Sequence, residues 1–191
     1  MEKQNENEMS LTRQIAITAI LLAICIASQV FKNLSVYITG PVVNLSLVLA
    51  VMIPGLKWGI ILAMITPITA FIIAPSPVMQ AVPGIIPLIM LGNIVLVVMT
   101  YFFFKPAASG ENHINVRSVI MAVLSAFAKG AVMGLSISLW LLPTFIPAGS
   151  PLAGKMPVFQ TMFSLVQFVT AIIGFVYFFV VWIAVKKSRT A

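Results

Sequence analysis

Residues 117–142, from Arg117 to Leu142, read RSVIMAVLSAFAKGAVMGLSISLWLL. An α-helix needs about 20 mostly apolar residues to cross a hydrocarbon core, and this stretch is longer than that. It therefore sets the fold class as helical and membrane-embedded. Near its middle stands Lys129, the one charged residue inside any long apolar run of the chain. A lysine at that depth costs about 2.5–3.5 kcal/mol on insertion scales, so it faces protein, water or a ligand in preference to lipid. On a regular helix Met133, Ser136 and Trp140 follow Lys129 at i+4, i+7 and i+11 and share its face. A cation, a hydroxyl and an indole on one stripe suit a pocket for a small molecule. The plainer alternative is a lysine that snorkels to the headgroups. Lys129 lies 12 residues beyond Arg117, about 18 Å of helix, which is deep for snorkelling.

Composition agrees with the opening stretch. The 191 residues are 61% hydrophobic and 8% charged. No soluble domain of this size hides that much apolar surface, so the chain reads as an integral membrane protein with one bundle and no separate soluble domain. The net charge of +7 raises nucleic-acid binding, but the basic residues flank apolar spans, as topology signals do. The single cysteine, Cys25, excludes a disulfide framework and a cysteine metal site. The four acidic residues, Glu2, Glu6, Glu8 and Glu111, all lie outside the spans.

Taken in order, residues 1–13 are a polar tail, residues 14–185 a six-span membrane domain, and residues 186–191 a basic tail. Span 1 covers 14–31 and carries Ala19, Ala23 and Ala27 at every fourth position. Such a small-residue stripe lets another helix approach closely in lipid, or serves ordinary packing within the bundle. A loop is expected over 32–40. Span 2 covers 41–54, too short to cross without its flanks, and Gly55-Leu56-Lys57 turns the chain into span 3 at 58–73, with Pro67 expected to kink it. The prolines of 74–84 predict a loop. Span 4 covers 85–104, span 5 is the opening stretch, 143–157 is a second proline-rich loop, and span 6 covers 158–185.

Six spans place both termini on one side. With the termini cytoplasmic, the inner set is Lys3, Arg13, Lys57, Lys105, Arg117, Lys186, Lys187 and Arg189, against Lys32 and Lys155 outside. Eight against two satisfies the positive-inside rule. Both proline-rich loops then lie on the outer face, where a lid over an outward-opening pocket belongs.

The spans hold no Asp, Glu or His, so no acid–base pair and no metal cluster forms at membrane depth, and the chain reads as a non-enzyme without cofactor. His113 and Glu111 share a solvated loop. Gly149 to Lys155 imitates a phosphate-binding loop but is followed by Met156 where serine or threonine is needed. Asn33 and Asn44 begin glycosylation-like triplets too short to carry weight, and the bulky Ile24 before Cys25 argues against a lipoprotein site. Binding is the better-supported chemistry. Asn93 lies 12 residues from Lys105, and Gln160, Ser164 and Gln167 fall on one face of span 6, with Gln80 in the loop above. Buried amides in lipid need hydrogen-bond partners, which either a ligand or a neighbouring helix supplies. Trp140, Phe145 and Phe159 suit either a ligand platform or an interfacial aromatic belt.

Six short spans, termini inside, the Ala19-x-x-x-Ala23-x-x-x-Ala27 stripe and the Gly55-Leu-Lys-Trp-Gly59 turn together resemble the substrate-binding S component of energy-coupling factor (ECF) transporters. The resemblance extends over nearly the whole chain in length and layout. It implies a multi-pass protein of a prokaryotic cell membrane that captures a vitamin or vitamin precursor in an outward pocket. It also implies docking, through Ala19, Ala23 and Ala27, on a membrane T subunit driven by two ATPase subunits. Lys129 favours a ligand with a carboxylate or other electron-rich group, such as pantothenate, niacin or biotin, over a cationic one. The alternative function is a self-sufficient small secondary transporter or channel, for which one intramembrane titratable residue is thin support.

Overall fold

The computed structural model describes residues 9–31, 35–108 and 114–190, with side chains described to residue 184. The leader to residue 8, Lys32, Asn33, Glu111, His113 and the side chains of Lys186, Lys187 and Arg189 lie outside the described residues.

Among the described residues the chain is helical throughout, with no strand. The long elements are α1 (Leu11–Val30), α2 (Val36–Met52), α3 (Leu56–Ile73), α5 (Ile85–Met99), α7 (Val116–Met133) and α10 (Leu165–Thr190), with short helices α4 (Pro77–Ala81), α6 (Lys105–Ala107), α8 (Leu142–Phe145) and α9 (Met156–Phe163) between them. Five continuous helical segments are long and apolar enough to cross a membrane, and α2, at 17 residues, is a shorter apolar helix. Large apolar side chains such as Ile72, Phe127, Leu139 and Val180 stand exposed along these helices. The outward surface is thus as apolar as the interior, as a lipid-embedded bundle requires.

Four expectations from the sequence change. The loop expected over 32–40 is helical from Val36, because Ser35 caps α2 by accepting from the Tyr37 N–H at 3.1 Å. Pro41 then sits inside α2, where it removes the helical bond to the Tyr37 carbonyl and crowds that carbonyl. The proline-rich segment 74–84 folds into α4, with Pro77 in the first turn where a missing N–H is harmless, and buries Val78 and Met79. The opening stretch does not end at Leu142 as one regular helix. It passes from α7 into a π-helical stretch, Gly134–Leu141, and then α8. Span 6 is interrupted at Ser164, whose φ of −120° and ψ of −86° leave the helical range and separate α9 from α10, and α9 begins inside what the sequence presents as a loop.

One end of the bundle is basic. Trp58 Nε1 donates to Gln14 Oε1 at 2.6 Å, joining the starts of α1 and α3. Lys105 Nζ donates to the Val51 carbonyl at 3.4 Å, joining the ends of α2 and the α5–α6 segment. Asn115 caps α7 in a reciprocal box with Ser118 and ties it to the Ala107 carbonyl at 3.0 Å. Gly55 makes the turn between α2 and α3 with φ 107°, a backbone state that suits glycine. The core is divided. Leu47, Leu62, Leu96, Phe104 and Phe175 fill the basic half, and Val78, Ile85, Met133, Ile137 and Phe163 fill the proline-rich half. A layer of buried polar side chains lies between them.

Candidate functional site

Helices α2, α5, α7 and α10 contribute Asn44, Asn93, Lys129 and Thr170 to that layer. Lys129 on α7 is 2% exposed. Its Nζ donates to Asn44 Oδ1 on α2 at 2.6 Å and to Asn93 Oδ1 on α5 at 2.8 Å. Asn44 Nδ2 in turn reaches Thr170 Oγ1 on α10 at 3.4 Å. Three helices therefore meet at one amine, and Asn44 carries the network on to a fourth, α10. An ammonium group has three N–H donors, and two are spent on the amides. No Asp or Glu occurs among the described residues, so every group that meets the Lys129 amine there is neutral.

Close packing of α2 on α10 holds Asn44 in place. At Gly174 an added Cβ would stand 2.7 Å from Asn44 Cβ and 3.2 Å from the Pro41 carbonyl. Only a residue without a side chain lets the two helices approach this closely, and that approach brings Asn44 and Thr170 together.

Lys129, Asn44 and Asn93 line a cavity of about 150 Å³. Its walls are mostly apolar, from Val43, Pro67, Met79, Ile89 and Phe163, with Gln29, Thr39, Thr66 and Gln167 as further polar contributors. Val36, Ser76 and Met162, all partly exposed, stand at its rim. The contributing positions fall late in α1 and α3 and early in α2, α5 and α10, so the cavity belongs to the proline-rich end and not to the end bearing Lys57 and Lys105.

Of the residues expected at a pocket, Lys129, Asn93 and Gln167 line this cavity. The others stand elsewhere. Met133 is fully buried in the apolar half-core. Ser136 turns back on its own helix, its hydroxyl donating to the Val132 carbonyl at 2.6 Å. Trp140 is 58% exposed on the outer surface. The cause is the π-helical stretch, whose i→i+5 bonds change the register and turn Ser136 and Trp140 off the Lys129 face. Gln160 pairs with Ser138 in both directions, Nε2 to the Ser138 carbonyl at 3.1 Å and its own carbonyl accepting from Ser138 Oγ at 2.8 Å. Ser164 Oγ bonds to the Gln160 carbonyl at 2.6 Å. These two residues line a groove between α7 and α9, while the break at Ser164 leaves Gln167 alone on the cavity side. Gln80 is exposed on α4 and lines no cavity described here. Phe145 is exposed and Phe159 partly buried against the proline-rich half-core.

Gln29, Thr39, Asn44 and Thr66 join the site without having been singled out as ligand contacts. A lone amide in an apolar run was the available signal for Asn44, the same signal that drew attention to Asn93. Lys129 makes no approach to the headgroup region: its amine ends on two amides in the interior, so snorkelling does not describe it.

Ala19, Ala23 and Ala27 lie on the exposed face of α1, opposite the buried Thr18, Leu21, Cys25 and Gln29. The stripe does not pack within the bundle, where α1 meets α2 and α3 through its other face. No protein-family model matches the chain, and no curated protein and no solved structure was found to be similar to it.

Proposed function

We propose that the chain is the substrate-capturing membrane subunit of an ATP-driven importer of the ECF type, specific for a small vitamin or vitamin precursor with a carboxylate or other electron-rich group. In this reading all six apolar helices span, both termini are cytoplasmic, and the proline-rich end faces outward in a prokaryotic cell membrane. The observation that carries it is the buried Lys129 amine. It lines a cavity at the end opposite Lys57 and Lys105, and its hydrogen-bond partners among the described residues are two neutral amides. A buried ammonium without a counter-charge is costly, and a ligand anion that accepts its third N–H removes that cost. The apolar walls suit the remainder of a small organic acid.

The exposed Ala19–Ala23–Ala27 face supports docking on a membrane partner, since small residues allow close helix contact in lipid. With no acid–base pair at depth to couple an ion gradient, energy comes from elsewhere, which fits a T subunit and two ATPases. The test is uptake. Cells producing this chain together with a T subunit and its ATPases should accumulate the ligand released from the purified protein, and cells producing the chain alone should not. Equal uptake by the chain alone would favour a self-sufficient carrier and overturn the importer reading.

A further inference from the structure

From the polar atoms left without partners in the cavity wall, we infer that the ligand carries, besides the electron-rich group, a second and neutral hydrogen-bonding group with an N–H or O–H to donate, read by Gln29 and Thr66. The inference rests on the Lys129 cavity being a ligand site and goes further by assigning its second recognition element.

Gln29 and Thr66 both line the cavity and are 1% and 2% exposed. Gln29 Nε2 donates to the Thr66 carbonyl at 3.0 Å. That bond fixes the amide orientation, because the reverse flip would set two carbonyl oxygens face to face. Among the described residues Gln29 Oε1 is then left with no partner, and the Thr66 hydroxyl has none either. The Thr100 hydroxyl is a third such atom but lies away from the cavity, whereas these two stand together in its wall. A helical threonine ordinarily returns its hydroxyl to a carbonyl one turn back, as Ser46, Ser125 and Ser136 do in this bundle. A buried carbonyl left unpaired costs about 1–3 kcal/mol. Two such atoms on adjacent helices in the wall of one cavity make a site that a ligand completes.

Their chemistry fixes the group. Gln29 Oε1 only accepts, so it asks for a donor; the Thr66 hydroxyl donates or accepts. A carboxylate would meet Gln29 Oε1 with lone pair against lone pair, so the acid end of the ligand goes to Lys129 and not here. The two subsites stand on different parts of the bundle. Gln29 and Thr66 belong to α1 and α3, which pack on each other, whereas Lys129 belongs to α7, which packs on α5 and α10. A closed cavity of about 150 Å³ accommodates a benzene-sized body, and this cavity has that volume while also opening at the rim by Val36, Ser76 and Met162. The ligand is accordingly a compact molecule, about one ring in size, with an acid at one side and a hydroxyl, amide or amine N–H at the other.

The experiment titrates the full-length protein in detergent by calorimetry with benzoate, 3- and 4-hydroxybenzoate, and 3- and 4-methoxybenzoate. At least one hydroxybenzoate is expected to bind tenfold or more tighter than benzoate and than its methoxy counterpart. Gln29→Leu and the near-isosteric Thr66→Val are each expected to reduce that preference to threefold or less while keeping benzoate affinity within threefold, which also shows that they fold. Equal binding of all five acids by the wild type, or an undiminished preference in both variants, overturns the donor subsite and leaves the Lys129 acid site standing. No binding of any of the acids overturns the acid site itself, and the donor subsite with it.

Discussion

Lys129 Nζ and Asn44 Oδ1 lie 2.6 Å apart, linking α7 to α2 across the middle of the bundle. The contact joins a buried polar residue of one helix to that of another, and Asn93 closes it from a third at 2.8 Å. If the network is interdependent, its members are coupled in stability. Asn44→Ala removes one acceptor from a buried amine and is expected to cost about 1–3 kcal/mol. In a Lys129→Met background the same change is expected to cost less than half as much, because no amine is left stranded. Thermal melting of the four proteins in detergent measures the coupling. Additive effects would show that the two side chains are merely neighbours.

Gly174 tests how closely α2 must approach α10. Gly174→Ala puts a methyl 2.7 Å from Asn44 Cβ and 3.1 Å from the Leu45 backbone nitrogen. Overpacking of this kind costs about 1–3 kcal/mol, and the displaced Asn44 should also weaken ligand binding. Gly154→Ala meets nothing within 4 Å and serves as the control, expected to melt with the wild type. A Gly174→Ala protein of wild-type stability and affinity would mean that the helices separate freely.

Gln160 and Gln167 are expected to part company. Gln167 lines the cavity, whereas Gln160 is engaged with Ser138 beside another groove. Gln167→Leu should weaken binding of the released ligand at least fivefold; Gln160→Leu and Trp140→Ala should leave it within twofold. Loss of binding in Trp140→Ala, measured on folded protein, would restore the regular-helix reading of the Lys129 face.

Ala23 stands on the exposed face of α1. Ala23→Trp should fold, bind ligand as the wild type does in detergent, and abolish uptake in cells that contain the T subunit and the ATPases. Normal uptake would remove the stripe from the docking surface, and lost binding would mean that α1 couples to the cavity.

Much of this arrangement was legible in the sequence, and the exceptions have physical causes. Long apolar runs gave the helices because lipid leaves the backbone no other way to satisfy its N–H and C=O groups. Lys129, Asn93 and Gln167 were conspicuous as polar residues deep in such runs. Ser136 and Trp140 were misplaced because a change from i→i+4 to i→i+5 bonding leaves no mark in an apolar sequence, yet turns every later side chain. Ser164 reads as one step of a continuous stripe because no glycine or proline marks the break between residues 158 and 173. The turn of helix at Pro77 is hidden by a proline that a first turn tolerates, its missing N–H being unimportant there, and the helical start at Val36 is hidden by Pro41, which α2 carries in its interior. Gln29 offers the same signal as Asn44, an amide within a span, but the significance of Gln29 and Thr66 is an unpaired oxygen, and pairing is a property of three dimensions.

The central claim is that Lys129 holds a captured small acid, and the small-molecule content of purified protein tests it most directly. Wild type and Lys129→Met would be purified in parallel, matched for helicity and melting behaviour, denatured, and the released material quantified by mass spectrometry. The account predicts a small acid near one equivalent per wild-type chain and less than a tenth of that from Lys129→Met. The same compound in equal amount from both proteins, or a released ligand with no electron-rich group, would contradict it.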